Sequence, residues 1–257
     1  MVQYLRSYLF VGQMYLMLAV FAVGGLPLAV LGGRTGGTWV ARGFCFWVRF
    51  SARWLVGLRT EVRGEVPTGD VLVASKHQSF LDILLIFSAL PRGRFIMKKE
   101  LVWTPFVGWY AYFIGCIPVD RAKRGKAIKG MLSAAKNGRM QGGQLIIFAQ
   151  GTRVAAGAKV PYKIGAGMLY KELGQTCVPV ATNVGVFWPR RSMLRKPGLA
   201  VVEFLPPIEP GLKVNDFMET IAERIELASD ALMAEAGLIV PPEGLPDARL
   251  EALQRGR

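Results

Sequence analysis

Histidine occurs once in the 257 residues, at position 77. Cysteine is almost as scarce: Cys45, Cys116 and Cys177 are odd in number, far apart and without a C-x-x-C pair. Neither a disulfide framework nor a thiolate metal site is therefore expected, and the thiols read as buried groups of a reducing compartment. No G-x-S-x-G segment is present, so the strand-to-helix elbow that carries a nucleophilic serine is missing. Carboxylates are few as well: 18 Asp and Glu stand against 32 Lys and Arg, a formal charge of +14. There is no internal repeat.

The shortage of carboxylates is uneven. Residues 1–202 hold 27 basic side chains against 7 acidic ones, whereas residues 203–247 hold 2 against 10. The basic part also contains the apolar part, and a hydrophobic fraction of 52% with a mean hydropathy of +0.32 is high for a soluble domain. Basic and apolar together point to an anionic membrane surface. A nucleic-acid groove has no need of an apolar amino terminus. The basic segments 121–126 and Trp188-Pro189-Arg190-Arg191 suit lipid headgroups or an acidic carrier protein at least as well as RNA.

Residues 8–31 are an apolar run broken only by Gln13, several glycines and Pro27. The run is long enough to cross a bilayer, while Gly24-Gly25 and Pro27 equally allow a kinked or re-entrant helix; as a signal peptide it is too long and poorly flanked. Gly32 to Gly37 reads as a turn. Residues 38–58 are apolar again, with Arg42, Arg49 and Arg53 at spacings of seven and four, on one helical face that is expected to meet phosphates in the headgroup region. Residues 1–58 are thus expected to be a membrane-anchoring helical hairpin. From residue 59 onward, short β-branched runs alternate with helical stretches. Strands are expected at 59–63, 71–75, 94–97, 115–119, 144–148, 177–182 and 199–204, and helices at 79–90, 100–113, 124–140, 161–174 and 215–236. This alternation predicts an α/β domain over 59–240 with a mostly parallel central sheet flanked by helices. The aromatic-rich segment 100–113 suits an apolar tunnel, a bilayer interface or ordinary core. The tail 241–257 reads as loosely packed.

The single histidine falls where chemistry is best supported, in Val71-Leu72-Val73-Ala74-Ser75-Lys76-His77-Gln78-Ser79-Phe80-Leu81-Asp82, a strand, a turn and a helix start. Residues five apart on one helix are rotated by about 140°, so His77 and Asp82 meet only if the helix begins between them, with Ser79 as N-cap. A carboxylate on one ring nitrogen then fixes the tautomer and leaves the other nitrogen as a general base. Ser79-x-x-Asp82 is also a capping-box-like pattern in which the carboxylate merely satisfies backbone donors. Three further segments have anion-binding character: Lys98-Lys99-Glu100-Leu101, Gly115 to Asp120 and Arg121, and Gln150-Gly151-Thr152-Arg153, where a glycine opens the backbone and an arginine can grip phosphate in bidentate fashion.

Taken in this order and spacing, the segments resemble the glycerolipid acyltransferase family, most closely the bacterial 1-acyl-glycerol-3-phosphate acyltransferases. The resemblance covers roughly residues 60–210: His77-x4-Asp82, Lys98 to Leu101, Gly115 to Arg121, Gly151-Thr152-Arg153 and Val178-Pro179-Val180. It implies the glycerol-3-phosphate acyltransferase-like fold and transfer of an acyl group from acyl-ACP or acyl-CoA to a lysolipid hydroxyl, without metal or bound cofactor. His77 is implied as the base and Asp82 as its partner, with Arg153 and Lys98 or Lys99 on the acceptor's phosphate. Thr152, Gly151 and Gln150 shape the same headgroup site, and Asp120 and Arg121 stand in a second tier. Implied too are an anionic membrane partner, no nucleic acid, and a place on the cytoplasmic face of the inner membrane. Gln150 departs from the family's Glu before Gly-Thr-Arg, and Ala149 from its usual Pro. The alternative acceptor is therefore lyso-ornithine lipid, whose headgroup lacks phosphate; the alternative of another class is a silent, basic membrane-binding protein.

Overall fold

The computed structural model describes residues 1–120, 124–136, 142–246 and 249–251. Seven strands form one sheet: β1 (Leu58–Arg63), β2 (Val71–Ser75), β3 (Arg94–Lys98), β4 (Ile117–Val119), β5 (Gln144–Phe148), β6 (Cys177–Thr182) and β7 (Gly198–Phe204). Their spatial order is β1-β7-β6-β2-β5-β3-β4. Strands β6, β2, β5, β3 and β4 run parallel to one another; β7 is antiparallel to β6 and parallel to β1.

Helices on both faces explain why the central strands β2, β5 and β6 are largely apolar instead of alternating with polar residues. Val73, Ile146, Val178 and Val180 point to one core, shared with α1 (Val2–Gly24), α2 (Leu26–Val56), α3 (Leu81–Ala89) and α4 (Val107–Ile114). Leu72, Ala74, Leu145 and Ile147 point to the other, under α5 (Arg124–Lys136), α6 (Gly165–Leu173) and α8 (Val214–Glu235). A single turn, α7 (Val184–Phe187), follows β6. The seven expected strands and the mostly parallel sheet are present, and residues 137–140 of the expected helix at 124–140 lie outside the described residues.

Three features define the amino-terminal hairpin, and the second and third differ from expectation. The first is as expected: the chain reverses within 32–37, at Gly33 (φ 52°, ψ −131°), whereas Gly25 (φ −84°, ψ −6°) keeps helical backbone, its N–H bonding the Phe21 carbonyl and its carbonyl accepting the Ala29 N–H. The reason is close approach: a Cβ on Gly36 would lie 2.0 Å from the Leu28 carbonyl oxygen, so glycine lets two helical segments fold back on each other. Second, Arg42 and Arg49 do not face outward to headgroups. Arg42 donates to the Leu90 carbonyl, and Arg49 donates to Thr60 Oγ1 (3.0 Å) and Ser88 Oγ (3.4 Å). The carbonyl at the end of α3 and two hydroxyls supply the partners that half-buried guanidiniums need; of the three arginines only Arg53 is exposed. Third, the hairpin is part of the domain's core, because Phe10, Val48, Ala52 and Val56 are buried in the same cluster as Val73 and Leu85.

Two smaller differences have local causes. The helix expected at 100–113 is split into a 3-10 turn (Lys99–Trp103) and α4, with Thr104 extended. Pro105 lacks an N–H and disfavours helical geometry in the residue before it. The tail expected to be loosely packed from 241 is docked as far as Leu245, which is buried against Ala156, Met233 and Leu238 and donates its N–H to the Gly157 carbonyl at 2.9 Å.

Candidate active site

The segments with chemical character share one edge of the sheet. His77 follows β2, Lys98 ends β3 and Lys99 follows it, Asp120 follows β4, and residues 150–153 follow β5. The carboxyl ends of parallel strands, on either side of a central strand whose neighbours are reached in opposite directions, form the usual binding crevice of open α/β sheets.

At its centre, β2 ends at Ser75 and α3 begins at Leu81, so His77 lies on non-helical chain and Asp82 in the first helical turn. His77 Nδ1 is 2.9 Å from Asp82 Oδ1. The other carboxylate oxygen accepts the N–H groups of Gln78 (2.7 Å) and Ser79 (2.8 Å). Pairing and capping therefore coexist in one buried carboxylate, one oxygen for each. Ser79 Oγ accepts the Leu81 N–H at 3.2 Å, but the residue that caps α3 is Phe80, without a side-chain bond, so Ser79 stands one residue before the N-cap position, not at it as expected, and braces the turn instead. Because both amides after His77 are committed to Asp82, oxyanion donors must come from elsewhere.

The imidazole is held on its face as well as its edge. It stacks on Phe148, centroids 3.9 Å apart and planes 15° apart, and Phe148 stacks on Phe95. The β2–β5 register sets Ser75 opposite Phe148 and so brings the aromatic ring under the histidine. The His77 carbonyl accepts the Val154 N–H at 2.7 Å, tying this loop to the one after β5. There Gly151 has φ +71°, a left-handed conformation open to glycine at little cost. Thr152 and Arg153 are exposed, whereas Gln150 is fully buried and neither its Oε1 nor its Nε2 finds a partner among the described residues.

The acyltransferase family matches residues 59–183, from β1 through β6. A 1-acyl-sn-glycerol-3-phosphate acyltransferase of Pseudomonas aeruginosa is 27% identical over 241 residues, covering 91% of this chain and 92% of that protein. The alpha form from Mus musculus is 30% identical over 214 residues, covering 77% and 75%. This chain belongs to the acyltransferase family. The fold agrees: the crystal structure of the 1-acyl-sn-glycerophosphate (LPA) acyltransferase PlsC from Thermotoga maritima superposes with a TM-score of 0.74 at 22% identity, over 90% of this chain and 98% of that one.

In this acyltransferase the remaining expected residues are distributed as follows. Lys98 and Lys99 are exposed and paired, Lys98 with Glu100 at 3.3 Å and Lys99 with Asp120 at 3.6 Å. Arg121 lies outside the described residues. Among the described residues no three His, Cys, Asp or Glu side chains converge to hold a metal ion.

Behind the His77 loop lies a charged cluster that local sequence patterns do not reveal. Lys76 is fully buried with its Nζ 2.8 Å from Glu226 Oε2 on α8. Lys159 Nζ lies 3.0 Å from the same oxygen and 2.5 Å from Asp230, and Tyr162 donates to Glu226 Oε1 at 3.0 Å. Burial pulls the Lys76 ammonium below its usual range against the opposing pull of Glu226. Burial would raise the Glu226 carboxyl, but Lys76 and Lys159 outweigh it and hold the group below its ordinary value. The cluster fixes the residue before His77 and the stretch of loop at 159–162 to one helix.

Proposed function

We propose that this acyltransferase moves a fatty acyl group from a thioester, acyl-ACP or acyl-CoA, to the free hydroxyl of 1-acyl-glycerol-3-phosphate at a membrane surface, giving phosphatidic acid. The observation that carries the reading is the His77–Asp82 pair in a loop at the carboxyl end of β2. A carboxylate can only accept a hydrogen bond, so Nδ1 holds the proton and the Nε2 lone pair is the base. Nε2 takes the acceptor's hydroxyl proton as the oxygen attacks the thioester carbonyl. Asp82 stabilises the imidazolium that forms, and the proton is then available to the leaving thiolate. Arg153, with Lys98 or Lys99, grips the acceptor's phosphate and converts binding energy into position of the hydroxyl. The names of the relatives support this acceptor.

The hairpin supports membrane association in one orientation. At one end of α1, Gln3 Nε2 donates to the Arg195 carbonyl (2.6 Å) and Ser7 Oγ accepts the Arg195 N–H (2.9 Å); near the other, the Ala22 carbonyl accepts Tyr110 O–H (3.0 Å). A helix of 23 residues, about 34 Å long, thus lies along the domain at both ends. Its outer face and that of α2 expose Tyr8, Leu16, Trp39, Phe46, Phe50 and Trp54, an apolar surface suited to lie in the interface plane. The cytoplasmic face of the inner membrane follows from where both thioesters are made.

Gln150 in place of the family's Glu favours a second acceptor, lyso-ornithine lipid. Transfer from one acyl thioester should be measured on membranes carrying the protein, with lysophosphatidic acid or lyso-ornithine lipid offered and His77→Ala as control. Product from lysophosphatidic acid, lost in His77→Ala with fold and membrane binding retained, is the expected result. Product only from lyso-ornithine lipid would move the enzyme to the second acceptor, and turnover by His77→Ala would remove the base assignment.

A further inference from the structure

Arg190 lies 37 residues from Arg153 of the Gly151-Thr152-Arg153 segment in sequence and against it in space. The chain leaves α7 through buried Trp188 and Pro189, and Arg190 Nη1 then donates to the Arg153 carbonyl at 2.5 Å. The N–H of that same peptide unit, on Val154, bonds the His77 carbonyl. One peptide plane therefore has Arg190 on one side and the candidate base on the other. Arg191 follows with φ +62°, a left-handed conformation uncommon for a residue with a side chain. The stem of Lys163 lies over Gly151, its Cγ 3.3 Å from where a Cβ would stand.

Among the described residues neither Arg153, Arg190 nor Arg191 joins an ion pair. Burial, and then the charges of Arg191 and Arg153, lower the basicity of Arg190. Like charges held together without a carboxylate are costly, and what relieves them is an anion of more than one charge. A phosphomonoester carries about −1.5 to −2 near neutral pH; a phosphodiester carries only one negative charge.

We propose that Arg190 is the second guanidinium of the acceptor site, which with Arg153 reads the doubly charged phosphomonoester and distinguishes it from diester or phosphate-free headgroups. One N–H of Arg190 is spent on the Arg153 carbonyl, which leaves the other guanidinium N–H groups and the charge for a ligand. The proposal rests on Arg153 as the acceptor's phosphate ligand. CoA also carries a phosphomonoester, so acceptor and donor must be varied separately.

The test is steady-state kinetics on the full-length protein in mixed micelles, with Arg190→Gln, Arg190→Lys and Arg153→Gln beside the unaltered enzyme. Glutamine at 190 removes the charge and keeps an amide donor, and lysine keeps both a donor and the charge. Arg190→Gln is expected to raise KM for lysophosphatidic acid by about tenfold, with kcat nearly unchanged and the donor KM unmoved. Arg190→Lys should restore most of it, and a lysolipid with a phosphodiester headgroup should be much less affected. A fall in kcat at constant KM, unrelieved by lysine, would make Arg190 a support for the loop and overturn the proposal; so would a change confined to the acyl-CoA KM. If Arg153→Gln raises the acceptor KM and Arg190→Gln does not, the proposal fails and the reading of Arg153 stands. If neither does, or if the unaltered enzyme does not use the phosphomonoester, that reading fails too.

Discussion

Replacing Asp82 with asparagine separates the two tasks of one carboxylate. Oδ2 accepts two main-chain N–H groups, at 2.7 and 2.8 Å, and Oδ1 faces His77 Nδ1 at 2.9 Å. An asparagine side chain that keeps both main-chain donors satisfied must put its carbonyl at the Oδ2 position and its NH2 against the imidazole. The opposite orientation sets an NH2 against two buried N–H groups, at a cost of roughly 1–3 kcal/mol for each donor left unmade. The amide then donates to Nδ1, the ring proton moves to Nε2, and the base is lost. By analogy with the same replacement in a Ser-His-Asp triad, kcat should fall by about 10⁴, while the loop and its melting temperature stay close to wild type. Asp82→Ala should lose the activity and also orphan both N–H groups, costing roughly 2–6 kcal/mol and, for a chain of this length, about 10 °C in melting temperature. The assays are single-turnover transfer and thermal unfolding on the same preparations. An Asp82→Asn protein that keeps more than a tenth of kcat would refute the tautomer argument, and an Asp82→Ala protein as stable as wild type would refute the capping half.

Three other perturbations follow from the geometry. Glu226→Gln leaves Lys76 buried without its carboxylate and should destabilise by about 3–5 kcal/mol, read by denaturant unfolding. Because the folded carboxyl lies below its ordinary 4.5, its contribution is present above that value and lost as pH falls through the lower folded one, so the penalty should shrink in acid and a pH-independent penalty would count against the pairing. Gly36→Ala places a Cβ 2.0 Å from a backbone oxygen and should lower the melting temperature by several degrees, whereas Gly12→Ala, with nothing within 4 Å, should be neutral or stabilising; equal effects would refute the close-approach argument. Gln150→Glu puts a carboxyl where neither amide atom has a partner among the described residues; burial raises its pKa, the folded state holds the proton, and the variant's loss of stability should grow as pH rises through the carboxyl range, with a flat difference as the refuting result.

What could be read in advance was what depends on neighbours in sequence. All seven strands lie within two residues of their expected starts and ends, because β-branched runs between glycine and proline punctuation are a local signal. The meeting of His77 and Asp82 was legible for the same reason, since five residues and a helix start define it. The partners of Arg42 and Arg49 were not, because a carbonyl at Leu90 and hydroxyls at Thr60 and Ser88 lie on other elements and leave no mark on the helix that carries the arginines. Lys76 and Glu226 are 150 residues apart, and Phe148 meets His77 only through the register of two strands. Pro105 was the exception: a local signal sufficient to end a helix, and outweighed by the apolar pattern around it.

The relation between anchor and site follows from the same long-range packing. Phe10 of α1 meets Trp188 edge-on at 5.4 Å between centroids, and Trp188 contacts Phe80 at 6.2 Å, three residues beyond His77. Val48, Ala52 and Val56 of α2 are fully buried against the core of the sheet. The apolar helices therefore have two faces with different tasks, one closing the core beneath the His77 loop and the other turned outward with aromatic side chains. Removing residues 1–56 would expose the core that the first face covers, forfeiting about 25 cal/mol for each Å² of apolar surface buried there. The hairpin is thus a layer of the domain's core with an outward aromatic face, and α1 is joined to the chain that carries the imidazole through two ring contacts, Phe10–Trp188 and Trp188–Phe80.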